Sequence, residues 1–178
     1  SVTLDGNTII EPSPLDLSID GVEITEGIRS GRVKKFSVEE SFPLYGLHSM
    51  AKNHFNGATI PVTHLKTGIK YSLELRLFND AAAFRFIVPG DKDVERAPEE
   101  SGVFTLPKGS IVWYHDLYMH YEGVHSRKLL DTIPAGQWAA PPLTARLPGD
   151  AGYLSITEAN LVNYPGMALQ TDGMGGFG

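Results

Sequence analysis

The chain has 178 residues and a mass of 19.4 kDa, the size of one domain and long enough to bury roughly 70% of its unfolded surface without covalent staples. It contains no cysteine, which excludes a disulfide scaffold, a thiolate zinc site and a cysteine nucleophile. Fifteen Lys and Arg against 21 Asp and Glu give a net charge of −6, the wrong sign for neutralising phosphates, and no apolar run approaches the ~20 residues of a membrane span, so neither nucleic acid nor a bilayer is an expected partner.

Ser1 is followed by no basic-then-apolar leader, so any targeting peptide is expected to lie outside these residues. Residues 2–4 and 8–10 flank Asp5-Gly6-Asn7, and an Asp-Gly between short β-prone runs predicts a hairpin. Residues 33–40 are read as a short turn of helix. The clearest periodicity is 69–77, Ile-Lys-Tyr-Ser-Leu-Glu-Leu-Arg-Leu, apolar at odd and polar at even positions, the period of a strand with one buried face. Asn79-Asp80 is a turn signal, and 83–88 reads as the returning strand before Pro89-Gly90. Further strands are expected at 58–65, 103–106, 111–114, 143–147 and 153–156, each bounded by Gly, Pro, Asn or Asp. Residues 91–100 are read as a solvated charged loop rather than a strand or an acidic binding site. The glycine-rich residues 173–178 are expected to carry no closing element, so both ends look cut. With no sustained helical period and no internal repeat, the pattern predicts one all-β domain over 1–178, an antiparallel β-sandwich.

Sequence motifs for chemistry are sparse. His115, His120 and His125 stand five apart among Asp116 and Glu122, but an odd spacing alternates faces on a strand, so loop or edge histidines are the simpler reading than a metal site. Asn53-His54-Phe55-Asn56-Gly57 reads first as a turn held by Asn side chains and second as a sugar contact. Trp113, Tyr114 and 118–121 are aromatics expected in core packing, whereas Trp138, beside an Ala-Pro stretch, is a candidate for exposure and sugar stacking. One carboxylate stands out. In 152–160 the even positions run Leu154, Ile156, Glu158, so Glu158 falls where an apolar face would continue. Either the strand ends near Thr157 and Glu158 turns to solvent, or the charge is paired or bound to a cation.

The same stretch carries a resemblance. Tyr153-Leu154-Ser155-Ile156-Thr157-Glu158-Ala159-Asn160-Leu161-Val162-Asn163-Tyr164-Pro165-Gly166-Met167-Ala168-Leu169 resembles the Y-x-x-I-x-E-A-x-L-x-x-Y-x-x-M-x-L signature of the N-terminal domain of glycoside hydrolase family 97. Ile10-Glu11-Pro12-Ser13-Pro14-Leu15, then Tyr45-Gly46 with Asn53-His54-Phe55-Asn56, then 77–86, then Tyr121-Glu122 and Pro142-Leu143-Thr144 follow in the family's order. One piece departs: the turn glycine of the family's "D-D-G" is Ala81 here, which puts that hairpin's geometry in question.

The resemblance implies a β-supersandwich, galactose-mutarotase-like in fold, as the N-terminal part of a longer exo-acting α-glucosidase or α-galactosidase. It implies a periplasmic or secreted bacterial location and an α-linked oligosaccharide substrate. A catalytic (β/α)8 barrel of the same polypeptide would carry the catalytic carboxylates, so this chain alone is expected to be inactive. The family's calcium takes one glutamate from this domain, and the matching residue is Glu158. Asn53, His54, Asn56 and Glu122 are the residues expected near substrate. Two other readings stay open: a free-standing carbohydrate-binding module, and an aldose-epimerase-like enzyme using a His and a carboxylate such as His120 and Glu122, which share strand parity.

Overall fold

The computed structural model describes every residue except Lys92, Met119, Tyr121 and Asn163. Tyr121, quoted in the family series, therefore lies outside the described residues. Strands dominate, joined by turns and two three-residue 3-10 segments, and no described helix is long and apolar enough to cross a membrane. The residues group into two compact units, Ser1–Leu15 with Glu100–Gly178, and Asp16–Glu99.

The second unit is organised by the strand Met50–His64. Lys70–Leu77 pairs along one edge of it, followed outward by Ala82–Ile87. Lys34–Pro43 and then Ile28–Ser30 share its other edge. Pro61 sits where those two partners hand over, and its carbonyl accepts the Gly31 N–H at 2.7 Å. A proline's missing donor is tolerated there because no regular ladder bond is lost. The strand read in 69–77 forms as Lys70–Leu77, but burial does not follow the two-residue period: Tyr71 is buried and packs with Val62, Leu17, Ile19 and Ile24, while Glu74 on the opposite parity is also buried and Leu77 is exposed. The small sheet holding Leu17–Ile19 and Val22–Glu23 turns at Asp20-Gly21, both at positive φ, the geometry a two-residue hairpin loop requires.

Three expectations fail in this unit. Residues 33–40 form the strand Lys34–Pro43 and not a helical turn. Its apolar residues Phe36, Val38 and Phe42 alternate, and cross-strand packing overrides the helix preference of its Lys and Glu residues. The run 53–57 is not a turn but lies inside Met50–His64. Residues 91–100 are a loop only in part, because Pro98–Glu100 is a strand. Upstream of that strand, Asp20 holds the segment with a 2.5 Å bond from Arg96 and a 2.8 Å bond from the Ala97 N–H.

Gly57 explains one close approach. Its register partner is Phe36, whose ring occupies the space a Cβ on Gly57 would fill. Phe36 then meets Phe55 edge-on at 5.9 Å, Phe55 meets Phe78 at 5.1 Å, and the Arg76 guanidinium lies 4.9 Å from the Phe55 ring centre. The Ala81 hairpin also resolves. Phe78 N–H donates to the Ala81 carbonyl at 2.8 Å, and none of residues 78–81 has positive φ, so this turn needs no glycine.

In the first unit, Val2–Leu4 and Asn7–Ile10 form the expected hairpin. A four-stranded sheet runs Ser126–Leu129, Ile111–Tyr114, Leu143–Arg146, Tyr153–Ile156. Val112, Tyr114, Leu143, Ala145 and Ile156 point into one core with Leu106, Leu130, Leu169 and Phe177. Contrary to expectation, the glycine-rich end contains a strand. Gly176–Phe177 pairs with Phe104–Thr105, Phe177 is fully buried, and Gly178 exchanges backbone bonds with Gln170 at 2.8 and 3.1 Å. The glycines allow this close docking: a Cβ on Gly176 would strike the Asp172 carboxylate and Val103.

Candidate functional site

Glu158 follows the strand Tyr153–Ile156 by two residues. The inward parity of Leu154 and Ile156 holds, but regular pairing stops at Ile156. Glu158 is half-buried rather than swung fully into water, and its Oε2 accepts the Met167 N–H at 2.7 Å. That bond pins the two ends of the irregular loop between the strand and Leu169–Gln170. Asn160 turns this loop at φ 62°, a left-handed conformation Asn tolerates better than most residues. A carboxylate has about four lone-pair sites, so one backbone donor leaves Glu158 with oxygen capacity for a hard cation. Its chemistry fits calcium, which takes six to eight oxygen ligands, but as one ligand of a larger set.

The same loop reaches Glu100 through Tyr164. Loss of hydration raises the Glu100 carboxyl above its ordinary range, and the bond from the Tyr164 hydroxyl opposes that rise. Desolvation and the facing Glu100 raise the Tyr164 hydroxyl in turn.

Of the residues expected near substrate, Asn53, His54 and Asn56 share one strand, and Glu122 lies in the other compact unit. His54 and Asn56 lie on one face of Met50–His64, while Asn53 and Phe55 lie on the other. Asn53 donates Nδ2 to Glu40 Oε1 across the strand pair at 2.6 Å, so its amide is committed within the sheet. Glu122 belongs to the other compact unit, in an exposed loop where its N–H donates to His120 Nδ1 at 3.1 Å. His120 and Glu122 are on no strand, so the parity argument for pairing them has no footing.

Of the spaced histidines, His115 is buried and His125 exposed, their rings 5.1 Å apart. His115 Nδ1 is 2.5 Å from the Asp116 carbonyl oxygen, and a Cβ on Gly123 would collide with the imidazole. Among the described residues no three His, Asp or Glu side chains converge as a metal set.

An open groove of about 440 Å³ in the first unit is lined by Trp138, the residue read as a candidate for exposure and sugar stacking. One wall is residues 116–118 and the other residues 134–138. Its sequence signal was Trp138 beside an Ala-Pro stretch: Ala139 and Ala140 are fully buried while Trp138 is 47% exposed.

The described pairings are antiparallel throughout, and the chain falls in the all-β, antiparallel β-supersandwich class. The sequence profile of the Glycosyl-hydrolase 97 N-terminal family matches residues 1–177, and the chain belongs to that family. It is 27% identical over 181 aligned positions to a retaining alpha-galactosidase of Bacteroides thetaiotaomicron, covering 94% of this chain and 26% of that protein. A probable retaining alpha-galactosidase of Streptomyces bingchenggensis is 27% identical over 148 positions, 80% of this chain and 22% of that protein. The crystal structure of a beta-arabinopyranosidase superposes with a TM-score of 0.84 at 17% identity, over 99% of this chain and 31% of the other. The chain thus spans about a quarter of the length of the curated relatives it matches.

Proposed function

We propose that the chain is the non-catalytic N-terminal domain of an exported, calcium-dependent exo-α-glycosidase, and that α-galactosides are its substrates. The carrying observation is the family match over nearly the whole chain together with a span of only about a quarter of two α-galactosidase relatives. Hydrolysis of a glycosidic bond needs two carboxyl groups flanking it, about 5–9.5 Å apart according to stereochemistry. In this reading both belong to a (β/α)8 barrel of the same polypeptide, on which this domain packs.

The domain's own contribution is positional. Glu158, tied by Met167 N–H, offers its carboxylate as one ligand to calcium at the substrate pocket. When bound, the ion supplies fixed positive charge and a template for oxygen ligands. His54 and Asn56, sharing one face of Met50–His64, are the polar pair available to a sugar hydroxyl. Asn53 serves by orienting Glu40, and Glu122 stands on a separate exposed loop.

The test is calcium titration of the domain joined to its barrel, comparing the native protein with Glu158→Gln. The amide removes the ligand's charge while keeping an acceptor for Met167, so an affinity loss of at least tenfold is expected. Unchanged calcium affinity would remove Glu158 from the ligand set.

A further inference from the structure

We propose that the groove between residues 116–118 and 134–138 is a saccharide-binding site that stacks one pyranose ring on Trp138. The choice of a sugar as ligand rests on the glycosidase reading above; the groove itself stands on its geometry.

The floor and one wall are held rigidly. Trp138–Ala139 pairs with Leu169–Gln170. Gly136 N–H donates to the Thr171 carbonyl at 2.8 Å, Thr171 N–H donates to the Gln137 carbonyl at 3.0 Å, and Gln170 Nε2 donates to the Gly136 carbonyl at 3.2 Å. With Ala139 packed into the core, the strand period turns the Trp138 indole outward. With its backbone already ordered, the Trp138 segment has less entropy left to lose when a ligand lands on the indole. The opposite wall is anchored where the Ala140 N–H donates to the His115 carbonyl at 2.9 Å, and it presents Asp116 and the 75%-exposed Tyr118.

The chemistry of the lining selects the ligand class. Asp116 is an acceptor-only group, which suits hydroxyl donors, and Gln137 offers both an amide donor and an acceptor. Pro134, Ala135, Tyr118 and Trp138 give flat apolar surface for the C–H face of a pyranose. Among the described residues the lining contains no Lys, Arg or His and its one charge is Asp116, so a phosphate or carboxylate ligand would meet a like charge. The trough is open, which admits one ring of a longer chain rather than enclosing a small apolar molecule.

The two tryptophans make the test clean. Trp113 is half-buried in the four-stranded sheet, 6.2 Å from Tyr153 with Arg127 over its ring. In the Trp113→Phe variant the emission reports Trp138 alone. Titration with raffinose is expected to change that emission saturably, with a dissociation constant on the order of 1 mM, as befits one stacked ring in an open site. Ligand-observed NMR on Trp138→Ala should show binding lost, and Asp116→Asn should weaken it at least fivefold, with unfolding midpoints of both variants close to native. Emission that never saturates, or binding that survives Trp138→Ala, would overturn the site. Raffinose binding by this chain alongside no α-galactosidase activity in the barrel-joined protein keeps the site and sinks the functional reading. Activity without binding does the reverse.

Discussion

Phe177→Ala tests whether the glycine-rich end is a core element. Phe177 is 0% exposed, its ring lies 6.5 Å from that of Tyr114, and its register partner is Phe104. Alanine keeps the backbone bonds of Gly176–Phe177, so the change isolates the side chain. Deleting a buried phenyl removes transfer free energy and leaves a cavity, together about 3–5 kcal/mol, with the aromatic pair contributing roughly 0.5–1.5 of it. Against a typical domain stability of about 5–15 kcal/mol this is roughly a fifth or more, or a fall of roughly 6–20 °C in melting temperature for a chain of this size. Trp113 and Trp138 both belong to the unit that contains Phe177, so fluorescence-detected urea unfolding reads the relevant transition. A loss below about 1 kcal/mol, the ordinary range of surface changes, would refute the packing argument.

Three further outcomes are expected. Burial pushes the Glu74 carboxyl up, but hydrogen bonds and charge from Arg76 and Arg85 outweigh it and hold it below its ordinary 4.5. Its stabilisation is therefore complete above pH 4.5 and disappears as pH falls through the lowered folded value. Glu74→Gln should cost about 1–2 kcal/mol at pH 7, limited by solvent reaching both Arg heads, and converge with the native protein in acid unfolding curves; a constant gap down to pH 2 would contradict the sign. Gly57→Ala should cost about 1–3 kcal/mol by calorimetry because Phe36 must move, and the cost should vanish in a Phe36→Ala background. Leu47, 95% exposed beside the fully exposed Tyr45 at the tip of the long hairpin, should accept Lys with under about 0.5 kcal/mol change and with less self-association in light scattering; a larger loss would mean the tip is packed.

What could be read from sequence followed from where packing acts. Lys70–Leu77 was legible because its apolar and polar residues alternate with the strand period, although both faces are partly covered and Glu74 is buried as well as Tyr71. Lys34–Pro43 was not, because six Lys, Glu and Ser residues dilute the Phe36–Val38–Phe42 stripe and the partner that fixes it, Gly57, is remote in sequence. The strand Gly176–Phe177 was hidden because glycine reads as loop even where its lack of a Cβ permits tight docking. Glu158 was visible as an anomaly of parity, and its partner Met167 was not, since a backbone donor leaves no side-chain signature. The Trp138 groove depends on two segments joined through Ala140 and His115, a contact no local pattern encodes.

The central proposal is that these 178 residues assist catalysis without performing it. The most direct measurement is turnover of an aryl α-galactoside by the purified chain beside the same chain joined to the proposed barrel. The account predicts no turnover above buffer for the chain alone and calcium-dependent hydrolysis for the joined protein. Hydrolysis by the isolated chain, or a joined protein whose activity ignores both calcium and Glu158→Gln, would contradict it.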